Sequence, residues 1–563
     1  MKASKASFLI FLCVASLCLI SIQQVVAQDT ITETVYILSD GTIYSSINST
    51  VPIEKAGNVY TLTGDLVVYS FIIQSNNIII DGAGFSLLGQ GEVGIEISSV
   101  SGVTIKNLHI LGGFNYGIYL SEASGISIID NTISGNGVGI RIYNSTQNTV
   151  TGNTILNNNL GVDLLLTSEN SFRNNALDNV RDFSVSGTAL SDFIHDIDDS
   201  NTIGADKKIY YLVGKQNLVI SPETYPDVGF LALVSCTDIT VQNLELANNE
   251  QGIILVDTKQ SSITGNTITD TTYGLWIFSS SHNTITHNTL TNNNRGIHLK
   301  YATFNTISLN EITSNTGGMF LYDSTQNTIS ANTIEDNYSY GAGISASSLN
   351  VFRGNYFINN GLNNNGVQVH DVGVTDDTIS ISSNQWFIYP AGGNYWNDYS
   401  GTDVKSGKAQ NETGSDGFGD TPYTIYASVK DEYPLILEGS LIVSVTSPEN
   451  KTYNVNSLTL TVSVSDPNAI VGYSLDGEEN ITISGTATLS NLIEGSHKLT
   501  VFAKNTEGKE SSQTVYFTIS EEDTQTPIDN DHPEDLPLTL IAAIAAVAVI
   551  GVALLYFLIL KKK

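Results

Sequence analysis

Basic residues are scarce in this chain. Its 563 residues hold 24 Lys+Arg against 56 Asp+Glu, a formal net charge of −32. So acidic a protein is expected to have no nucleic-acid partner, because phosphate repels carboxylate. Cysteine is nearly missing: Cys13 and Cys18 fall in an N-terminal leader, and Cys236 is left alone. An intrachain disulfide is therefore excluded in the mature chain, and Cys236 reads as a small buried hydrophobe. Proline is rare at 11, and charged residues make up 14% of the chain. With 41% hydrophobic residues, such a composition is not that of a disordered protein. No Gly-x-y period runs through it, which excludes collagen.

The two ends predict a compartment. Lys2 and Lys5 precede an apolar run from Phe8 to Ile20, and Val25-Val26-Ala27 offers a small-residue cleavage site. Residues 1–27 therefore read as a secretory signal peptide. Residues 538–560 carry no charge and are long enough to cross about 30 Å of hydrocarbon. Lys561, Lys562 and Lys563 follow at once and stay cytoplasmic by the positive-inside rule. The expectation is a single-pass cell-membrane protein with its N-terminal ectodomain outside. Removing the five lysines of the two ends takes the charge from −32 to −37. Asn-x-Ser/Thr sequons at Asn48, Asn144, Asn337, Asn411, Asn450 and Asn480 permit glycosylation.

Asparagine, about one residue in ten, is what the chain has in excess, and it is periodic. Asn266, Asn288, Asn310 and Asn332 recur every 22 residues, and Asn355 follows after 23. A second series runs Asn283, Asn305, Asn327, Asn350, and a third Asn293, Asn315, Asn337, Asn360. The frame appears earlier at Asn131 and Asn153 and at Asn136 and Asn158. Between the series lies a Gly-apolar-x-apolar strand, as in Gly117-Ile-Tyr-Leu, Gly139-Ile-Arg-Ile, Gly274-Leu-Trp-Ile and Gly296-Ile-His-Leu.

Strands this short cannot bury themselves alone. A 22-residue turn of three strands, coiled so that each pairs with its copy one turn on, buries every inward Ile, Val and Leu. Asn tolerates left-handed corners, and stacked Asn forms amide ladders. The predicted fold is all-β: a right-handed parallel β-helix over residues 28–437. An irregular turn is expected near 181–228 and an Asp/Gly-rich cap at 393–437. The period vanishes after that, and short alternating strands over 438–520 suggest a small β-sandwich. An acidic stalk at 521–537 leads to the transmembrane helix at 538–560.

The repeats, with Gly393-Asn-Tyr-Trp-Asn-Asp-Tyr-Ser-Gly-Thr-Asp403, Asp416-Gly-Phe-Gly-Asp-Thr-Pro-Tyr423 and Asp431-Glu-Tyr-Pro-Leu435, resemble the NosD-like β-helix proteins, within the carbohydrate-binding and sugar-hydrolase β-helices, and in particular archaeal cell-surface members. The segments Ser447–Tyr453, Tyr473–Gly477 and Glu494–His497 resemble immunoglobulin-like modules of archaeal surface proteins. The resemblance implies a β-helix outside the cytoplasm and a loose link to glycans. The family name carries copper, but copper favours Met, Cys and His. One internal methionine, Met319, one mature cysteine and eight scattered histidines offer copper no expected site here.

In a Gly-apolar-x-apolar strand the x residue faces outward, and successive rungs are about 4.8 Å apart. Trp276, His298 and Phe320 then form one column, and Phe278, Lys300 and Tyr322 its neighbour. Aligned exposed aromatics suit the flat faces of sugars, or a surface protein; the plainer reading is packing under a loop. Glu96, Tyr119, Arg141 and Asp163 read as the N-terminal part of the same column. Glycosidases need two carboxyls about 5–9.5 Å apart. Glu96 and Asp163, three rungs apart, are too distant, whereas Asp163 and Asp182 come near adjacent rungs at a point where the register slips. The expected function is non-catalytic glycan or envelope binding, for adhesion or envelope structure. An extracellular polysaccharide hydrolase, lyase or epimerase working through Arg141, Asp163 and Asp182 is the alternative. Asp398, Asp403, Asp416 and Asp420 surround a Gly-rich turn and suit Ca²⁺, or else Asx-turns that cap the coil.

Overall fold

The computed structural model describes residues 33–520, apart from 205–206, 364–365, 372–382, 427, 437–442, 449–450, 465–467, 484–485 and 507–509. The expected signal peptide, stalk, apolar 23-mer and terminal lysines lie outside the described residues. Among those described, no helix is long and apolar enough to cross a membrane.

The repeat folds as a right-handed parallel β-helix. One turn is made of strands Thr284–Thr286, Thr289–Thr291 and Arg295–Lys300. Each pairs in parallel with its copy 22 residues on, Thr284 with Thr306, Thr289 with Glu311 and Arg295 with Gly317. Ile285, Leu290, Ile297 and Leu299 fill the interior and are fully buried. No single turn could bury them, so stability is shared between neighbouring rungs.

The ladder asparagines do not themselves stand at the left-handed corners. The residue before each does: this is another Asn at Asn157, Asn174 and Asn292, with φ of 55°, 53° and 57°, but His287, Leu309 and Ala331 elsewhere, with φ of 55°, 57° and 53°. That kink turns the following Asn inward. Along Asn266, Asn288, Asn310, Asn332, Asn355 and Asn394, each Nδ2 donates to the next Oδ1 at 2.8–3.0 Å. The same Oδ1 accepts the preceding residue's backbone N–H, as from Asn288 to Asn310 at 3.0 Å. Amides this deeply buried would cost about 1–3 kcal/mol for each group left unpaired. The ladder satisfies them and so offsets the strain of the left-handed corner.

The irregular region near 181–228 divides the β-helix into two coils. Strand Thr202–Ile203 ends the first and pairs antiparallel with Lys207–Val213, which then pairs in parallel with Val228–Val234. Both coils contribute to a single 15-stranded sheet, but they lie on opposite faces of it. Ile209, Tyr211, Phe230, Ala232 and Val234 join the core of the first coil. Their chain neighbours Tyr210, Leu231 and Leu233 join the core of the second. Reversing the strand direction and changing sides together keep the hand of the coil. The inner face of the first coil thus runs on as the outer face of the second.

The second coil is closed by residues 383–436. Trp386 stacks on Phe352 at 4.3 Å, Trp396 on Phe357 at 4.6 Å, and Tyr423 on Trp396 at 4.4 Å. The ladder ends at Asn394, whose backbone N–H reaches Asp431 at 2.6 Å, and the Trp396 indole N–H reaches the same oxygen at 3.0 Å. Beyond it, a three-stranded and a five-stranded sheet share a core of Leu458, Leu460, Leu499, Val501 and Phe517.

Candidate functional site

The outward columns stack in the expected register, Trp276–His298–Phe320 and Phe278–Lys300–Tyr322. Glu96, Tyr119, Arg141 and Asp163 also stack on consecutive rungs. They are not, however, the N-terminal part of the same column. The strands Val93–Ser98 to Arg181–Ser186 belong to a separate eight-stranded sheet. The reversal at Ile203–Lys207 moves the same motif to another sheet in the second coil.

The expectation that the aromatic column is exposed also needs correction. Trp276 is 5% exposed, His298 6%, Phe320 9% and Phe278 1%. Because this face continues the interior of the first coil, the end of that coil covers its upper rungs. Phe193, on the turn after the last long strand of that coil, packs edge-on to Trp276 at 5.9 Å and against Phe278 at 5.2 Å. Lys300 stays half-buried and Tyr322 is exposed.

What emerges below the joint is a strip one residue column to the side. Tyr273 and Arg295 share a register position, as do Gly317 and Tyr340. Tyr273 stacks on Trp276 at 5.6 Å and leans on His298 at 5.1 Å. His298 stacks on Phe320 at 5.6 Å and 7°. Phe320 meets Tyr340, and Tyr340 meets the exposed His370, each at 6.3 Å. Two glycines seat this run: a Cβ on Gly317 would lie 2.6 Å from the Tyr340 ring, and one on Gly343 2.5 Å from the Phe320 ring. Tyr273, Arg295, Tyr340 and His370 were not singled out in the sequence. A signal was there, because Tyr precedes the strand glycine at Tyr116, Tyr273 and Tyr340.

A cleft of about 380 Å³ opens where the coils meet, lined by Ser184, Thr188, Glu250, Tyr273, Trp276, His298 and Lys300 among others. The Trp276 indole N–H has no hydrogen-bond partner among the described residues. His298 is pushed down to about 3 by its burial and by Arg295 and Lys300 beside it, so it is neutral at physiological pH.

The carboxylates of the first coil do not form a catalytic pair. Asp163 faces outward, pairs with Arg141 at 3.5 Å and aligns with Ser184, not Asp182. Burial raises its pKa while Arg141 lowers it. Asp182 takes the place that Gly117, Gly139 and Gly161 hold on earlier rungs. There a Cβ would meet the next rung's carbonyl, at 2.6 Å for Gly161. No further rung of that sheet follows Asp182, so a side chain fits. It ends a ladder by accepting the Asn179 backbone and side-chain N–H at 2.8 and 3.1 Å. Burial pushes its pKa up to about 6.

The capping carboxylates are engaged by N–H and O–H donors. Asp403 accepts from Asp416 and Gly417 backbone N–H, Asp416 from Gly407 and Gln410, and Asp420 from Lys405 and Val404. Asp398 accepts the Tyr423 hydroxyl. No three His, Cys, Asp or Glu converge as a metal site among the described residues.

A family model described as periplasmic copper-binding protein (NosD) matches residues 22–209 and 195–401. No curated protein matches the chain. Similar solved structures include a mutant of the periplasmic alginate epimerase AlgG, at 15% identity over 59% of this chain and 70% of that one, TM-score 0.25. The A-module of the Azotobacter vinelandii mannuronan C-5 epimerase AlgE6 matches at 11% identity over 58% and 88%, TM-score 0.21. A tailspike mutant of the E. coli bacteriophage HK620, in complex with a hexasaccharide, matches at 12% identity over 82% and 85%, TM-score 0.22.

Proposed function

The chain belongs to the NosD family, and we propose that it is a membrane-anchored cell-surface protein that binds glycan on the outer face of its second coil, without catalysis. The observation that carries the reading is the unbroken run of ring contacts from Tyr273 through His298, Phe320 and Tyr340 to His370. These residues come from successive rungs of one rigid sheet, so little ordering entropy opposes the binding of an extended chain. Trp276, His298 and Phe320 act as the floor, and Tyr273, Tyr340, Tyr322 and Lys300 offer the accessible surface. The absence of a close carboxylate pair around Asp163 favours binding over hydrolysis, lysis or epimerisation.

Anchoring rests on the sequence of the two ends, and residues 443–520 act in this reading as an immunoglobulin-like spacer above the membrane. Protease added to intact cells is expected to remove nearly all the mass; a protected ectodomain would refute the topology.

The copper in the family description does not fit the described residues. Met319 lies fully buried in the core. Cys236 is buried too, and its thiol donates to the Leu212 carbonyl at 3.3 Å. His282 stacks on Phe304 and His298 on Phe320, so the soft donors stay dispersed.

The test is a glycan array on the purified full-length chain, followed by titration of variants against the best ligand. Each stacked ring contributes on the order of 1 kcal/mol, by analogy with base–aromatic stacking. Tyr340→Ala and Tyr273→Ala should each weaken binding several-fold, and Tyr119→Ala, on the other sheet, should not. Full affinity in both former variants would end this reading.

A further inference from the structure

We infer that the ligand is an acidic polysaccharide whose carboxylates are held by Arg295 and Lys300, an inference that rests on the glycan-binding reading above. The starting point is the pair of cations on the strip itself. Several cations of this strongly acidic chain sit beside carboxylates: Lys106 with Asp81, Arg173 with Asp196 and Asp198, Arg181 with Glu250, Lys259 with Asp257. Arg295 and Lys300 open and close a single strand, and neither has a carboxylate partner among the described residues. Glu250, the carboxylate that lines the neighbouring cleft, is already paired with Arg181 at 3.2 Å.

The two cations are held by rings instead of by acids. The Arg295 guanidinium lies 4.4 Å over the Phe320 ring and 5.8 Å from that of Tyr273. One of its nitrogens approaches His298 Nδ1 at 3.4 Å. The Lys300 ammonium lies 5.6 Å over Phe278 and 5.5 Å over Tyr301. A guanidinium laid flat on a ring keeps its edge N–H groups in a fixed fork, which matches a carboxylate in two-point contact. The rings attract each cation modestly without neutralising its charge. Arg295 and Lys300 flank the His298 position on either side, so a sugar chain lying on the strip has a cation within reach on both edges. Neutral sugar would need the rings alone; unpaired cations on this floor select an anion.

Polygalacturonate and its fully methyl-esterified form are matched probes that differ in charge, and both are titrated against the full-length chain. The acid form is expected to bind at least about tenfold more tightly. Arg295→Gln and Lys300→Gln should each lower that preference about threefold, weakening the acid form more than the ester. Arg295→Lys should fall between, because it keeps the charge and loses the fork. Thermal melts of all variants should match wild type, since the inward Ile297 and Leu299 are untouched. Dextran sulfate is expected to bind more weakly than polygalacturonate, and tighter binding would overturn the carboxylate assignment in favour of general anion attraction. Retention on neutral glycans with equal affinity for acid and ester overturns this proposal alone. No retention on any glycan of the array overturns it together with the reading beneath it.

Discussion

The first and second coils are built on one repeat and differ in what closes them. The first coil keeps a polar outer column of Glu96, Tyr119, Arg141 and Asp163 and is shut at its end by the wall of the second. The second ends instead on Trp386, Trp396 and Tyr423, each stacked on an aromatic ring below it. Its outer wall had to be apolar where it plugs the first coil, which accounts for Ile254, Val256, Trp276 and Phe278 at outward positions. The aromatic strip farther down is the part of that wall left uncovered. The same inside-or-outside position in the repeat thus acquires its role from the neighbouring coil, not from the repeat itself.

If the ladders carry both coils alike, the largest loss should come from their middle. Asn310→Ala and Asn153→Ala each strip several buried N–H and C=O groups of their partners. Each is expected to lower unfolding free energy by about 4 kcal/mol in urea titration. A cost below about 1 kcal/mol at either site would break the equivalence. Phe193→Ala tests the joint and should cost about 3 kcal/mol. It should also shift Trp276 emission to the red, and an unchanged spectrum would mean that the coils are not sealed there.

A smaller effect distinguishes the ends. Asp182 ends a ladder in the first coil and Asp431 in the second, and burial pushes both up to about 6, more than their donors lower them. A carboxyl whose pKa is raised on folding takes up protons more readily in the native state. Its stabilising contribution is complete below the ordinary value of 3.8 and is lost as pH rises through about 6. Lowering the pH from about 7 to about 5 should therefore stabilise the protein by about 1 kcal/mol per group. Asp431→Asn and Asp182→Asn should each flatten that slope, read as the urea midpoint against pH. Equal flattening would mean that the two coils end alike, and no change in either would remove these carboxyls as the cause.

Much of this was legible in the sequence. The 22-residue Asn spacing predicts the rung, and the Gly-apolar-x-apolar alternation correctly assigns Ile297 and Leu299 inward and His298 outward. The reversal was not legible, because it is carried by the two-residue strand Thr202–Ile203, too short to show a pattern, and the motif on either side is unchanged. Without it, two columns on different sheets read as one, and the cover over the rings reads as a loop instead of the end of a coil. The left-handed corner was legible only in part: Asn157, Asn174 and Asn292 occupy it as expected, but His287, Leu309 and Ala331 do so elsewhere and share no chemistry that marks them, whereas the inward Asn that follows is conspicuous. Asp431 shows why the Asp-x-Tyr-Pro segment goes with Asn-Tyr-Trp: its carboxylate receives Asn394, Trp396 and the Tyr433 backbone together.

Each ladder runs head to tail, every amide donating toward the next rung. Side-chain dipoles along a coil therefore point the same way, and their positive ends accumulate at the C-terminal rung. That is where the chain places Asp182 in one coil and Asp431 in the other, as anions stand at the N-terminus of a helix. Neutral acceptors also serve: two other ladders stop on Asn201 and Asn384. The length of such a coil is then limited less by its core, which any number of 22-residue turns can extend, than by the need for a side-chain acceptor where each ladder stops, carboxyl at Asp182 and Asp431 or amide at Asn201 and Asn384.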